Sequence, residues 1–314
     1  MKFITRFIFI SLILTFFAGS LDAQVYQWQK LRYELILGGG VTNFMGDVGA
    51  PLDEGLNSYF WTNPNTWRPV GVVGGRMAFG ERHMVKTVLS TGFFYANDAY
   101  GDKRNNQYEV RTFFAELSGQ YEFYLIPEQQ KRNIYRFIGA SQRFKNLRLP
   151  TYLFAGVSGL FFNPKTLFDD EWIALQPLQT EKLSNGKDQY SRIALAVPVG
   201  IGVKFKIAKY ISMNIEAGWR LAFTDYIDDL GSGDFYNLRE IAEAGDYTRA
   251  AVSYRSHGYS RLNEDLIEQL LEQAPTGGSR GSGEWFDQYQ FVTATLNFKL
   301  QTGRKGEPRL RLYR

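Results

Sequence analysis

Residues 193–226 read as one hairpin that alternates with a period of two, and that pattern limits the chain more than any other stretch. From Ile193 the odd positions read Ile193, Leu195, Val197, Val199, Ile201, Val203 and Phe205, while the even positions are Ala194, Ala196, Pro198, Gly200, Gly202, Lys204 and Lys206. After Ala208–Tyr210 the pattern resumes. Ile211, Met213, Ile215, Ala217, Trp219, Leu221 and Phe223 stand against Ser212, Asn214, Glu216, Gly218, Arg220, Ala222 and Thr224. Successive side chains of a strand point to opposite faces, so each run is a strand with one large apolar face and one small or polar face. Each run has 13 or more residues, against about 5–6 for an ordinary soluble strand. A tilted strand that crosses a bilayer needs about 9–11. The two runs predict a hairpin of a transmembrane β-barrel, apolar toward lipid and polar toward the lumen.

The N-terminus fits that reading. Lys2 and Arg6 precede an apolar run, Phe7–Phe17, and Leu21-Asp22-Ala23 precedes Gln24. This is the layout of a signal peptide, with cleavage expected after Ala23, and the apolar run is short for a spanning helix of about 20 residues. The chain has no cysteine, so neither a disulfide framework nor a lipoprotein anchor is expected. Mean hydropathy is −0.28, a value that would suggest a soluble protein. Alternation cancels in a window average, however, and hides barrels from such a measure. The 25 Phe, 19 Tyr and 6 Trp would supply aromatic girdles at both membrane interfaces. A net charge of +4 on an exported chain gives no reason to expect nucleic acid.

Six more alternating or apolar segments bring the count to eight: 32–43, 70–79, 86–96, 110–125, 151–162 and 290–300, with 193–206 and 211–224. The expectation is an all-β, eight-stranded antiparallel barrel over 24–300. A signal peptide, 1–23, would precede it and a basic periplasmic tail, 301–314, would follow. With both ends in the periplasm, the long connections 44–69, 97–109, 163–192 and 225–289 face outward, and 80–85 and 207–210 are tight periplasmic turns. One connection departs from that rule. Segment 126–150 should be a turn, yet it is long and carries Lys131, Arg132, Arg136, Arg143, Lys145 and Arg148 against Glu128 alone. Within the last external loop, 262–273 has helical spacing and Gly277–Gly283 reads as a flexible run.

Alternation assigns Glu34, Arg76, Glu116, Glu122, Glu216 and Arg220 to the lumen. An eight-stranded barrel has just enough interior for side chains or one small ligand. Charges there should pair, forming a polar plug rather than a pore or a catalytic site. His83 and His257 have no second histidine nearby, and Gly38–Gly40 lacks the strand–GxGxxG–helix setting of a nucleotide site. Those glycines are expected to admit large neighbouring side chains or to permit curvature. Asp225, Asp228, Asp229 and Asp234 are either a calcium-ligand cluster, off the twelve-residue helix–loop–helix spacing, or a solvated turn-rich loop. No cofactor and no metal site is expected.

Several motifs in order carry a resemblance. They are NFMGDVG at 43–49, FNPK at 162–165, ALQPLQTE at 174–181, VPVGIGVKFKI at 197–207 and TDYIDDL at 224–230. In this order the chain resembles the PorG-like outer-membrane barrels, the DUF6089 family of the Bacteroidetes type IX secretion system. The resemblance implies a barrel without enzymatic activity that attaches the periplasmic PorK–PorN ring to the outer membrane during secretion and gliding-related export. The basic connection and tail would be its periplasmic surface. The rival expectation is a carrier or adhesin barrel binding a small ligand through its outer loops.

Overall fold

The computed structural model describes residues 31–49, 64–100, 108–128, 149–183, 186, 189–254, 263–278, 280–281, 286–302 and 308–309. The expected signal peptide, most of the basic connection and most of the tail lie outside these residues. Ten strands form: β1 (Tyr33–Met45), β2 (Arg68–Ala78), β3 (His83–Asn97), β4 (Glu109–Ile126), β5 (Thr151–Phe168), β6 (Glu171–Ala174), β7 (Ile193–Lys206), β8 (Ile211–Ala222), β9 (Gln288–Thr302) and β10 (Pro308–Arg309). Eight of them make the barrel, in the order β1-β2-β3-β4-β5-β7-β8-β9, all pairs antiparallel. The seam closes where β1 pairs with β9 from Tyr33↔Leu300 to Met45↔Gln288. Closure removes the unpaired edge that an open sheet would expose.

The alternation read in the sequence sets the facing. Leu37, Val73, Leu89, Leu117, Val157, Leu195, Ile215 and Val292, one from each barrel strand, are all exposed on the outer face. Their strand neighbours Ile36, Val72, Val88, Glu116, Ser158, Ala196, Asn214 and Phe291 are buried inside. The outer face is therefore the apolar one, inverting the arrangement of a water-soluble barrel. Exposed aromatics gather near the strand ends, with Trp67, Phe113, Trp172 and Phe223 at one end and Phe79 and Tyr121 at the other. Among the described residues no helix is long and apolar enough to cross a membrane.

Several boundaries differ from expectation. β5 continues past Phe162 to Phe168 and turns through Asp169 and Asp170, both at positive φ, into β6. The extra residues Lys165–Phe168 pair with β6. At the seam, a Cβ on Gly38 or Gly40 would collide with backbone of β9 at Ala294–Thr295 and Val292–Thr293. These glycines permit close approach of two backbones, rather than admitting large side chains.

Among its described residues the connection between β8 and β9 holds three helices where one was expected: α1 (Leu238–Glu243), α2 (Tyr247–Tyr254) and α3 (Glu264–Gln273). Asn237 and Asn263 cap α1 and α3 by accepting from the Glu240 and Leu266 N–H groups. Glu264 and Asp265 in the first turn of α3 suit its positive end. Ile227, Leu230, Leu238, Ala250, Leu266 and Leu270 are buried among these elements and continue into the barrel's Phe94, Phe114, Phe162 and Phe291. The result is a cap on one barrel mouth that shares a core with it.

Candidate functional site

The lumen is filled by charge, and register explains how. Glu34 lies opposite Arg76 on β2 and opposite Lys299 on β9, while Arg76 lies opposite Lys86 on β3. A belt of Lys299, Glu34, Arg76 and Lys86 therefore forms from pairing alone. Two basic groups side by side across strands repel, and carboxylates of the flanking strands β1 and β4 and of β8 across the lumen relieve this. Arg76 contacts Glu34 at 2.8 Å, Glu122 at 2.8 Å and Glu216 at 3.5 Å. Lys86 Nζ lies 3.3 Å from Glu122 and 2.7 Å from Glu216. Lys204 Nζ reaches Glu34 at 2.6 Å and Glu128 at 3.2 Å, and Lys299 donates to Glu128 at 2.5 Å. Tyr152 on β5 donates to Glu216 at 2.5 Å. Gly202 makes room for that tyrosine, since a Cβ there would overlap its ring. All eight barrel strands contribute to the layer.

A second, smaller layer sits nearer the cap. Glu116 accepts from Tyr289 at 2.6 Å and lies 3.7 Å from Arg220, whose guanidinium covers the Phe291 ring at 4.0 Å. Of the six lumen residues named from sequence, Glu34, Arg76, Glu122 and Glu216 meet in one network, and Glu116 and Arg220 meet each other above it. Sequence reasoning missed Lys86, Glu128, Lys204, Tyr152 and Lys299. Lys204 and Lys299 stood on the polar face of their strands and could have been included. Lys86 lies in a strand whose facing the sequence left open, and Tyr152 lies in an apolar strand whose pattern does not single it out. Between the layers a cavity of about 10 Å³, bounded by Lys86, Gln120, Glu216 and Arg220, has room for about one water.

The cap corrects two expectations. Thr224–Asp234 is not a solvated loop: Asp228 and Asp229 are each 1% exposed. The four aspartates named from sequence do not converge either. Asp229 accepts from Tyr190 at 2.7 Å, Thr180 at 2.5 Å and Arg280 at 3.0 Å, while Asp234 exchanges backbone hydrogen bonds with Lys182. The run Gly277–Gly283 is not a free linker at Arg280. That side chain is buried between Asp229 and Glu181, and Glu181 also accepts from the N–H groups of Gly231 and Gly233. The two carboxylates raise the Arg280 pKa, and burial raises that of Glu181. Two bonds tie the cap to β4 and to the residue before it, from Thr112 Oγ1 to the Ile227 carbonyl at 2.7 Å and from Tyr108 OH to the Ser253 carbonyl at 3.0 Å.

His83 heads β3 at the end of the barrel away from the cap, exposed, 2.5 Å from the Tyr121 hydroxyl, and His257 lies outside the described residues. Lys131, Arg132, Arg136, Arg143, Lys145 and Arg148, the basic set proposed from sequence as a partner surface, also lie outside them.

No family model and no curated relative matches the chain. Among solved structures, Neisserial surface protein A is similar over 85% of this chain and 96% of its own, at 4% identity and a TM-score of 0.35. The outer membrane protein OprG from Pseudomonas aeruginosa is similar over 86% of this chain and 97% of its own, at 9% identity and a TM-score of 0.38. The architecture rests on this chain's own closed sheet: an eight-stranded outer-membrane-type barrel, apolar outside, filled with paired charge inside and capped at one mouth.

Proposed function

We propose that this chain is a non-catalytic outer-membrane barrel that serves as an assembly subunit of a type IX secretion machine and tethers the periplasmic PorK–PorN ring. The observation that carries this reading is the filled lumen. A barrel blocked by a four-cation, four-carboxylate layer and covered by a cap conducts nothing, so its role falls to its surfaces. The ordered motifs that resemble the PorG-like barrels give the partner class. The basic segment 126–150 gives a surface of the right sign for an acidic periplasmic partner, by long-range attraction that salt screens over about 10 Å at 0.1 M.

Affinity purification of a tagged copy tests the reading. Ring subunits should be retained, less so at raised salt. Reversal of Arg136, Arg143 and Arg148 to Glu should abolish retention and block export, with the barrel still inserted. Full ring recovery and normal export in the triple variant would sink this surface and move weight to the basic tail or to the carrier reading.

A further inference from the structure

Two cations face each other on the outer wall at the capped end of the barrel. Arg111 on β4 and Lys165 on β5 are direct register partners. Both hold outward positions, Arg111 between the buried Val110 and Thr112, and Lys165 between the buried Pro164 and Thr166. Arg192, just before β7, joins them on that face. Its carbonyl accepts from the Phe162 N–H, its guanidinium donates to Asn163 Oδ1 at 3.3 Å, and it lies 5.8 Å from the centre of the Phe161 ring. These charges sit where the apolar belt ends, with Phe113, Phe161, Trp172 and Ile193 exposed around them. The Arg111 guanidinium lies 4.1 Å from the centre of the Phe93 ring and 5.6 Å from that of Trp172. Cation–π contacts of this kind use none of its five N–H donors.

Like charges directly opposite across strands repel. The lumen contains one such pair, Arg76 and Lys86, and Glu34, Glu122 and Glu216 compensate it. The outer pair has no such compensation. Among the described residues no carboxylate forms an ion pair with Arg111, Lys165 or Arg192, and neither Arg111 nor Lys165 donates a side-chain hydrogen bond. Glu109, two residues along the same face of β4, accepts from the Tyr95 hydroxyl at 2.9 Å. Asp169, Asp170 and Glu171 lie at the turn from β5 into β6, beyond Lys165 on the side away from the midplane. The described chain thus supplies no anion to this pair. At the depth of an aromatic belt the anions at hand are lipid headgroups.

We propose that Arg111 and Lys165 bind a phosphate of lipid A, the phosphorylated glycolipid of the outer leaflet, with Arg192 adding a third positive charge on its flank. With both chain ends in the periplasm, as the sequence leads one to expect, the capped end lies in the leaflet that holds this lipid. A phosphomonoester carries about 1.5–2 negative charges and three acceptor oxygens, enough to engage two cations at once. The phosphodiester of an ordinary phospholipid carries a single charge. The two side chains act differently on it: the guanidinium grips two oxygens and the ammonium serves as a point charge. Phe113 and Phe161, nearer the midplane on the same strands, would pack against the acyl chains. The site rests on the outer-membrane reading of the barrel and not on the tethering role.

The test uses the purified full chain, stripped of native lipid, in neutral-detergent micelles that contain lipid A, lipid A without its phosphates, or phosphatidylglycerol. A heat-sensitive shift in gel mobility reports the closed barrel in every sample. Lipid A should be retained through gel filtration and should slow acylation of Lys165 by a water-soluble amine reagent, read by peptide mass spectrometry. The dephosphorylated form should do neither. Arg111→Gln, Lys165→Gln and Arg192→Gln should each weaken retention about fivefold, and the triple variant about a hundredfold. Lys209→Gln, at the opposite end, should leave it unchanged. A closed, unaltered barrel that retains no lipid A would overturn the site and leave the barrel reading standing. Equal retention of phosphatidylglycerol would overturn it too, since any anionic headgroup would then suffice. So would protection of Lys165 by inorganic phosphate alone, which would make a free anion the ligand, or undiminished retention by a closed triple variant.

Discussion

Arg76→Met removes the one side chain that touches three lumen carboxylates. Arg76 is 1% exposed at its side chain, and Glu34, Glu122 and Glu216 are 6%, 0% and 12% exposed, so water cannot replace it. The layer holds Arg76, Lys86, Lys204 and Lys299 against Glu34, Glu122, Glu128 and Glu216, and the variant leaves one uncompensated negative charge. Breaking a buried ion pair costs about 3–5 kcal/mol. The lower half of that range applies, because each carboxylate keeps a second partner. Lys204 stays 2.6 Å from Glu34, and Lys86 stays 3.3 Å from Glu122 and 2.7 Å from Glu216. The expected loss is about 3–4 kcal/mol. Arg76→Met with Glu122→Gln restores neutrality and should recover most of it, with a coupling energy of about 2–3 kcal/mol. Reversible urea unfolding in lipid vesicles, followed by tryptophan fluorescence, measures all four corners of the cycle. A single-variant cost below about 1 kcal/mol, or additive behaviour in the double variant, would refute the idea that the layer acts as one network.

Other outcomes follow from facing, burial and charge. Val199→Arg and Ile215→Arg, on the outer face, should each cost about 2–4 kcal/mol near the midplane. Gly200→Arg should instead act by crowding the Phe154 ring, and a lipid-phase label that reached a cysteine at 200 but not one at 199 would shift the register by one. Arg280→Met leaves Asp229 and Glu181 buried without their cation and should loosen the cap. Trypsin on intact cells should cut the variant within the cap far faster than the unaltered chain, and equal rates would remove Arg280 from the account. The cap should weaken as pH rises. Asp225 sits at about 7 in the folded chain against 3.8 for an ordinary aspartate, and Asp228 and Asp287 are also raised. Their stabilising protonation is thus complete below about pH 4 and is lost as pH climbs through 7. Cap hydrogen exchange that slowed between pH 5 and pH 8 would contradict that sign.

The barrel was legible because its signal is local. Each strand carries its own two-residue period, and the tight connection 207–210 fixes how β7 meets β8. The lumen charges Glu34 and Arg76 could be named from alternation within their own strands. Lys86 could not, because Met84, Val88 and Phe94 on its inward face are as apolar as Val85 and Leu89 outside. The cap was poorly legible for a different reason. Its burial depends on contacts between segments far apart in the chain, such as Arg280 with Glu181, and nothing near Asp228 or Asp229 announces that they leave solvent. Short helices such as α1 and α2 gain their stability from that packing rather than from their own sequence.

The seam has a consequence for how the molecule is made. β1 and β9 are joined along thirteen pairs, from Tyr33↔Leu300 to Met45↔Gln288, yet nearly the whole chain separates them. Contacts so distant in sequence form late, after the entropy of the intervening loop has been lost. With both chain ends in the periplasm, as the sequence leads one to expect, the excursion from β8 to β9 must also cross the bilayer before the last strand can seat. Until it does, Glu34 lacks Lys299 opposite it and Glu128 lacks the same lysine. A half-closed sheet would thus hold unmatched charge against lipid, an arrangement of high free energy. Insertion should therefore be all-or-none at its final step, with β9 acting as a latch, and removal of the last strand should leave chains that are degraded rather than a smaller stable barrel.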